Sequence, residues 1–461
     1  MFVQEHAAGA SRPRVMIIGG GFAGLEAAKA LRGTSADVAL LDRKNHHVFQ
    51  PLLYQVATAS LSPASISAPI RSALAGKAEC QVVLSNVVGL DVERKRVLVE
   101  EGSAPYDYLI LAVGVRHDYF GRDDWEVHAP GLKTIEDATE IRRRLLLAFE
   151  SAEHEADEEA RRAALTFAIV GGGPTGVELA GAIKSIASRT LPREYRNIDT
   201  TTARVILFEG GPRLLAAFPE SLSARAEQDL RNLGVEVHLN ARVTAVDGGG
   251  VRVGADYIPA HNVLWAAGVK ASPLLNDLGV PLDRAGRVIV GGDLSVPGHP
   301  GIFVVGDAAS YTPAGLDHAL PGVAQVAMQM GRHVGQIIRE EVQTGTSALR
   351  ERAFVYKDKG SMAIIGKNKA VASVGGQRVA GFPAWLLWAG VHIAFLVGFR
   401  NRVRVLFDWV IAWLLDSHDA RLIIGTSRLR VNTPQGAGFV LQGDQQDASA
   451  GPERADPSAE A

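Results

Sequence analysis

VMIIGGGFAGLEAAKALRGTSADVALLD, residues 15–42, is the stretch whose reading decides the fold. A short apolar run (15–19) ends in glycines, a helical pattern follows from Leu25 to Leu31, and a second apolar run, VALL, occupies 38–41. This is the pattern of strand, helix and parallel strand. Gly19, Gly21 and Gly24 stand in GxGxxG positions directly after the strand and at the mouth of the helix. Gly19 permits the tight turn, Gly21 lets the backbone approach a pyrophosphate, and Gly24 allows close helix packing, while the helix N-terminus offers unpaired N–H groups. Asp42, at the end of the second strand, is placed to accept from a ribose hydroxyl. A glycine loop alone would be a bare turn; strand, helix and acid in this order predict a dinucleotide site.

The same grammar returns at 165–183, LTFAIVGGGPTGVELAGAI, with Gly171, Gly173 and Gly176 in the loop and Glu209 closing the strand RVILFE at 204–209. Glu209 is expected to bond the 2′-hydroxyl and repel a 2′-phosphate, and the nearest following cation is Arg213, so NADH is favoured over NADPH. Glu178 follows this loop near the helix start, where position alone marks it as an acid stabilised by the helix dipole. The apolar runs DYLILAV (107–113) and NVLWAA (262–267) end in Gly114 and Gly268, a matched pair that suggests duplicated architecture. IFVVGDAA at 302–309 puts Asp307 at a further strand end, before the helical AQVAMQMG of 324–331. The charged stretch 134–163 reads as a solvated helix laced with ion pairs.

Composition removes several function classes. The chain has 461 residues, enough for two to four compact units, and 48 Lys+Arg against 50 Asp+Glu leave no basic field that would point to nucleic acid. One cysteine, Cys80, excludes an internal disulfide, a CxxC redox pair and iron-sulfur ligation, and suits a reducing compartment. The opening residues contain no apolar stretch of signal-peptide length, so a start inside the cell is expected. The adjacent His46 and His47 diverge and make a poor metal pair, and no metal site is expected. His392, in an apolar helical stretch, reads as a core histidine.

The set GGGFAG, LILAVG, GGGPTG, LWAAG and VVGDAA resembles the two-dinucleotide flavoproteins of the pyridine nucleotide-disulfide reductase superfamily over about residues 14–340. In these the first unit holds FAD and the second NAD(P)H. The lone Cys80 sets the chain apart from the members that work through cysteines, so its flavin is expected to pass electrons on directly. NHHVFQPLLYQVATASLSP (45–63), GGGPTGVELAGAI (171–183), AQVAMQMG and the tryptophan-rich C-terminus are similar to the type II NADH:quinone oxidoreductases, up to about residue 430.

That resemblance implies an α/β fold of two Rossmann-like dinucleotide-binding domains, with the FAD domain discontinuous and the NADH domain inserted, plus a C-terminal membrane-associating helical region. The expected divisions are a flexible N-terminus (1–13), a first FAD-domain segment (14–130), a charged helical connection (131–163), the NADH domain (164–290), a second FAD-domain segment (291–350), the C-terminal domain (351–431) and a disordered tail (432–461). The implied FAD contacts are Gly19, Gly20, Gly21, Phe22, Ala23, Gly24, Asp42, Arg43, Val87, Ala112, Gly114, Asp307, Ala324 and Gln325. For NADH they are Gly171, Gly173, Pro174, Thr175, Gly176, Glu178, Glu209, Ala267 and Gly268. Glu178 is implied in hydride or proton handling, and Gln325 and Gln329 in lining the flavin and quinone. Val113 departs from the threonine many relatives carry, which affects a side-chain contact but not the backbone turn.

The activity implied is transfer of hydride from NADH to FAD and of two electrons to a membrane quinone, ubiquinone or menaquinone, without proton pumping. The protein would be a homodimer lying peripherally on the cytoplasmic face of the inner membrane. Two alternatives stay open at this point: a soluble NADH-dependent reductase of an electron-carrier protein, and an NADH-responsive flavin-binding scaffold.

The C-terminal region carries a physical signal of its own. WLLWAGVHIAFLVGF, 385–399, is apolar nearly all round, but its 15 residues as a helix reach only about 22 Å against a hydrocarbon core of roughly 30 Å. A basic break at Arg400, Arg402 and Arg404 precedes VLFDWVIAWLL, 405–415. Two short apolar segments with Trp385, Trp388, Trp409 and Trp413 are expected to lie in a membrane interface rather than to span.

Overall fold

The run RVMII at Arg14–Ile18 is almost wholly buried and takes parallel partners on both sides, Asp37–Asp42 and Tyr108–Leu111, as a continuous apolar strand should at the centre of a sheet. Gln81–Leu84 extends this sheet at one edge and His299–Val304 at the other, with Ser295–Val296 antiparallel outside it. A strand from near residue 300 therefore completes a sheet begun at residue 14. Between them in sequence lies a second sheet of four parallel strands in the order Val235–His238, Arg204–Phe208, Thr166–Val170 and Asn262–Trp265. Each sheet is accompanied by a three-stranded antiparallel meander, Val87–Pro105 in the first and Val243–Pro259 in the second. The structure describes residues 12–76, 78–415 and 420–424 in this computed structural model; the tail expected at 432–461 lies outside them, as does most of the expected N-terminal segment.

The helices are α1 (Phe22–Ala30), α2 (Leu53–Ala57), α3 (Ile70–Leu74), α4 (Ile135–His154), α5 (Glu158–Ala164), α6 (Pro174–Ser185), α7 (Glu220–Asn232), α8 (Ala324–Thr344), α9 (Phe382–Phe395) and α10 (Phe399–Leu415). The charged connection is the helix pair α4 and α5; Thr134 and Asp137 close a reciprocal capping box at the start of α4. α8 packs directly on α1 through small residues: a Cβ on Gly331 would stand 2.1 Å from the Ala23 carbonyl oxygen. Gly345, in a left-handed conformation at φ 79°, ends α8.

The two matched glycines do more than mark a repeat. After Gly114 and Gly268 the chain runs into Val115–His117 and Val269–Ala271, which pair antiparallel with each other and tie the two units together. A third, antiparallel sheet, Ser361–Gly366, Lys369–Val374 and Gln377–Ala380, packs over α6, and α9 lies on it.

The C-terminal helices differ from the expectation in two ways. The break falls at Leu396–Gly398, where Gly398 has φ 88°, and the three arginines lie within the first turns of α10. Two of the tryptophans turn inward: Trp388 is 2% exposed and Trp409 donates its indole N–H to Gln55 Oε1, whereas Trp413 stays exposed while donating to Asn368 Oδ1. The outward face of α10 is instead Phe399, Val403, Leu406, Phe407, Val410 and Leu414, spaced as one helical stripe. Packing Trp409 against protein gives its N–H an acceptor, the buried Trp388 N–H has none, and mainly aliphatic and phenyl groups remain outside. No helix among the described residues is long and apolar enough to cross a membrane.

Candidate functional site

At the first loop Gly19 has φ 105°, and a Cβ there would stand 2.3 Å from the Ala112 carbonyl oxygen; one on Gly24 would stand 1.8 Å from that of Gly19. A Cβ on Gly21 would meet nothing within 4 Å. Two glycines thus answer to the fold, and the third faces open space. Asp42 accepts the Gly20 N–H at 2.6 Å and the Lys44 N–H at 2.7 Å, so it also staples the strand end to the loop. Phe22 packs edge-on against His47 and Phe49. His47 is buried and donates from Nδ1 to the Gly20 carbonyl; burial pushes its pKa down to about 4, leaving a neutral ring whose Nε2 is a buried acceptor without a partner. Gln325, in the first turn of α8 beside Ala324, likewise has a buried Oε1 with no partner. Asp307 sits in the turn joining His299–Val304 to the rest; burial raises its pKa, opposed by Lys133 and Arg287. An open glycine cradle at a helix start, together with the orphaned buried acceptors of His47 and Gln325, fits a bound dinucleotide with hydrogen-bond donors of its own.

The second loop repeats this geometry. Gly171 has φ 111° with Ala266 against it, a Cβ on Gly176 would stand 1.9 Å from the Gly171 carbonyl oxygen, and Gly173 again faces open space. Pro174 and Thr175 form the first turn of α6. Glu209 accepts the Gly172 N–H at 2.7 Å and the Gly211 N–H at 2.6 Å. Arg213 is held by the carbonyls of Ala216 and Phe218, turned onto its own loop. Ala267 precedes Gly268, which packs against Phe120 and the Asp118 carbonyl at a φ of 74°. Of the other expected contacts, Ala112 and Gly114 adjoin the first loop, Arg43 is exposed beyond Asp42, and Val87 opens the first meander.

Glu178 departs from its sequence reading. It lies in the second turn of α6, lines a cavity, and has its carboxyl surrounded by protein; desolvation outweighs the Ile364 backbone N–H and raises its pKa to about 8. Some of the residue's surface still faces the cavity, which is how a carboxyl so desolvated stays within reach of a ligand. The helix dipole, which would stabilise the anion, loses to burial beneath the strand Ser361–Gly366. That burial is close: a Cβ on Gly181, three residues on, would stand 1.8 Å from the Ile365 carbonyl oxygen. The cavity is walled by Tyr54, Gln55, Trp385, Trp388, Trp409 and Trp413. Gln329 also departs from expectation: both ends of its amide pair with the backbone of Lys357, so it braces that segment. Cys80 is no thiolate, since burial pushes its pKa up to about 12.

Tyr54, Gln55 and Trp388 carried no spacing signal that marked them as a site. The motif at 45–63 contains the first two, yet only the meeting of α2, α6, α9 and α10 joins them to Glu178.

Two phosphate-type loops on duplicated parallel sheets, with Asp307 and α8 returning to the first, define a two-dinucleotide flavoprotein. Residues 13–331 match the pyridine nucleotide-disulphide oxidoreductase family, and 359–417 match the NDH2 C-terminal domain. The chain is 44% identical to the type II NADH:quinone oxidoreductase Ndh of Mycobacterium tuberculosis, over 87% of this chain and 88% of that one, and 43% identical to NdhA of the same organism, over 89% of each. The solved structure of NDH2 from Plasmodium falciparum in complex with NADH superposes with a TM-score of 0.82 at 21% identity, covering 90% of this chain and 100% of that one. The chain belongs to the type II NADH:quinone oxidoreductases. Its cofactors are FAD and NADH, and membership sets aside both the carrier-protein reductase and the scaffold readings.

Proposed function

We propose that the chain oxidises NADH at the second glycine loop, holds FAD at the first, and reduces a quinone in the cavity beside Glu178. The observation that carries this is the cavity itself, which is bounded by both Glu178 of the NADH unit and the tryptophans of the C-terminal helices. FAD, when bound, supplies the two-electron chemistry between nicotinamide and quinone. The protein's residues orient and insulate. Gly21 and Gly173 give the two pyrophosphates access to helix N-termini, and Asp42 and Glu209 hold the loops and meet the riboses. Gln325 and His47 would offer their orphaned acceptors to the flavin, and Asp307 would hold its ribityl chain. Glu178, protonated at neutral pH, is a proton source at the cavity wall. The division into domains expected from the sequence belongs to the same reading.

The outward stripe of α10 and exposed Phe382 and Leu386 of α9 support attachment to one leaflet, with the arginines Arg400 and Arg404 near anionic headgroups. A homodimer on the cytoplasmic side, which the motif resemblance implies, belongs to the same proposal. Anaerobic addition of NADH to the yellow protein, then of a short-chain quinone, tests the whole: absorbance should bleach and then recover. A flavin that bleaches but is not reoxidised by quinone would overturn the second half-reaction.

A further inference from the structure

Trp409, Gln55 and Tyr54 form a chain of hydrogen bonds whose directions follow from chemistry alone. An indole N–H only donates, so the 2.7 Å contact from Trp409 Nε1 makes the facing Gln55 atom its carbonyl oxygen. The other end of that amide must then be the NH2 group, which donates to the Tyr54 hydroxyl oxygen at 2.8 Å. With its oxygen already accepting from Gln55, the Tyr54 O–H hydrogen is free to point elsewhere. Tyr54 and Gln55 are 5% and 7% exposed, so solvent competes little for these bonds. Tyr54 and Glu178 line the same cavity.

From this we infer that Trp409 and Gln55 are positioning residues that turn the Tyr54 hydroxyl hydrogen into the cavity, where it donates to a carbonyl oxygen of the electron acceptor. A fixed donor aimed at that oxygen stabilises the negative charge that gathers on it as electrons arrive. The indole comes from α10 and the tyrosine from α2, so a residue of the C-terminal helix sets the polarity of the acceptor site from 355 positions away (409 − 54). If the amide were released it could flip, the Tyr54 oxygen would lose its donor, and the hydroxyl would turn back to bond Gln55 Oε1. The inference rests on the cavity being the quinone site.

The test is a double-mutant cycle on the intact, flavin-loaded enzyme in liposomes, reading kcat and KM for quinone. Trp409→Phe keeps the aromatic packing on Trp388, whose ring lies 5.1 Å away, and removes only the donor. It should lower quinone kcat about threefold to tenfold, the scale of one neutral hydrogen bond, with KM within about twofold. Tyr54→Phe should lower kcat at least about tenfold. In the Tyr54→Phe background, Trp409→Phe should cost less than about twofold more, because there is no hydroxyl left to orient. Losses that multiply would overturn the relay, as would a Tyr54→Phe enzyme with full kcat. Gln55→Met breaks the same link from the middle and gives an independent cycle should Trp409→Phe lose flavin or melting temperature. The cavity assignment is tested apart by Ala182→Phe, which fills the pocket wall: unchanged quinone KM there removes the quinone site itself, whereas a raised KM with a multiplicative cycle removes only the relay.

Discussion

Each glycine loop contains positions that look alike in sequence and differ in what they face. Gly24→Ala would drive a Cβ into the Gly19 carbonyl at 1.8 Å and should destabilise the apoprotein, visible as a lower melting temperature before any flavin is added. A Cβ on Gly21 meets no protein atom within 4 Å, so Gly21→Val should leave the apoprotein folded but pale, with flavin absorbance lost. A yellow Gly21→Val enzyme would move the flavin elsewhere. Glu209 braces its loop with both oxygens, and Arg213 is turned away; Glu209→Gln should narrow the NADH/NADPH ratio of kcat/KM by at least about tenfold, and also raise KM for NADH. Glu178 makes a pH prediction. Its pKa is raised on folding, so between about 4.5 and about 8 the native state holds a proton the unfolded chain has released, and stability falls as pH rises through that window. Glu178→Gln should flatten the dependence of melting temperature on pH there; an unaltered slope would mean the carboxyl titrates normally.

Among the elements, the contact of α6 with the strand Ser361–Gly366 holds the C-terminal sheet over Glu178. Gly181→Val forces the two apart, since even a Cβ would stand 1.8 Å from a backbone oxygen. The expected cost is about 1–3 kcal/mol, measured by chemical denaturation, with Glu178 more hydrated and its pKa lower. α8 and α1 depend on the same kind of approach at Gly331 and Ala23. Helix propensity argues against glycine at such positions, so close packing is what their presence there reflects.

For the whole molecule, α9 and α10 serve two environments at once. Trp388 and Val405 belong to the same core cluster as the NADH sheet, while Phe399, Leu406 and Leu414 project outward. Truncation before Phe382 would therefore remove core and cavity wall together, and its failure to fold would say nothing about membranes. Replacing Phe399, Leu406 and Leu414 with Glu tests attachment alone: flotation with liposomes should be lost while NADH oxidation with ferricyanide is retained. Continued flotation would place the membrane contact on another face.

Much was legible along the chain because it is written in local spacing: both strand–loop–helix units, their terminal acids, the matched Gly114 and Gly268, and the two short apolar helices. The return of 299–304 to the first sheet followed only from the likeness of VVGDAA to a known pattern. Periodicity could not reveal which side of α10 faces outward, because its stripe and its tryptophan face are both apolar and differ only in what protein stands opposite. Nor could it foresee that Glu178 holds its proton or that Gln329 spends its amide on Lys357, since desolvation and partner geometry arise from segments far away in sequence. The loops that grip dinucleotides were determined by the sequence through backbone conformation; the acceptor cavity was decided only when α2, α6, α9 and α10 met, because burial and hydrogen-bond direction are properties of that meeting.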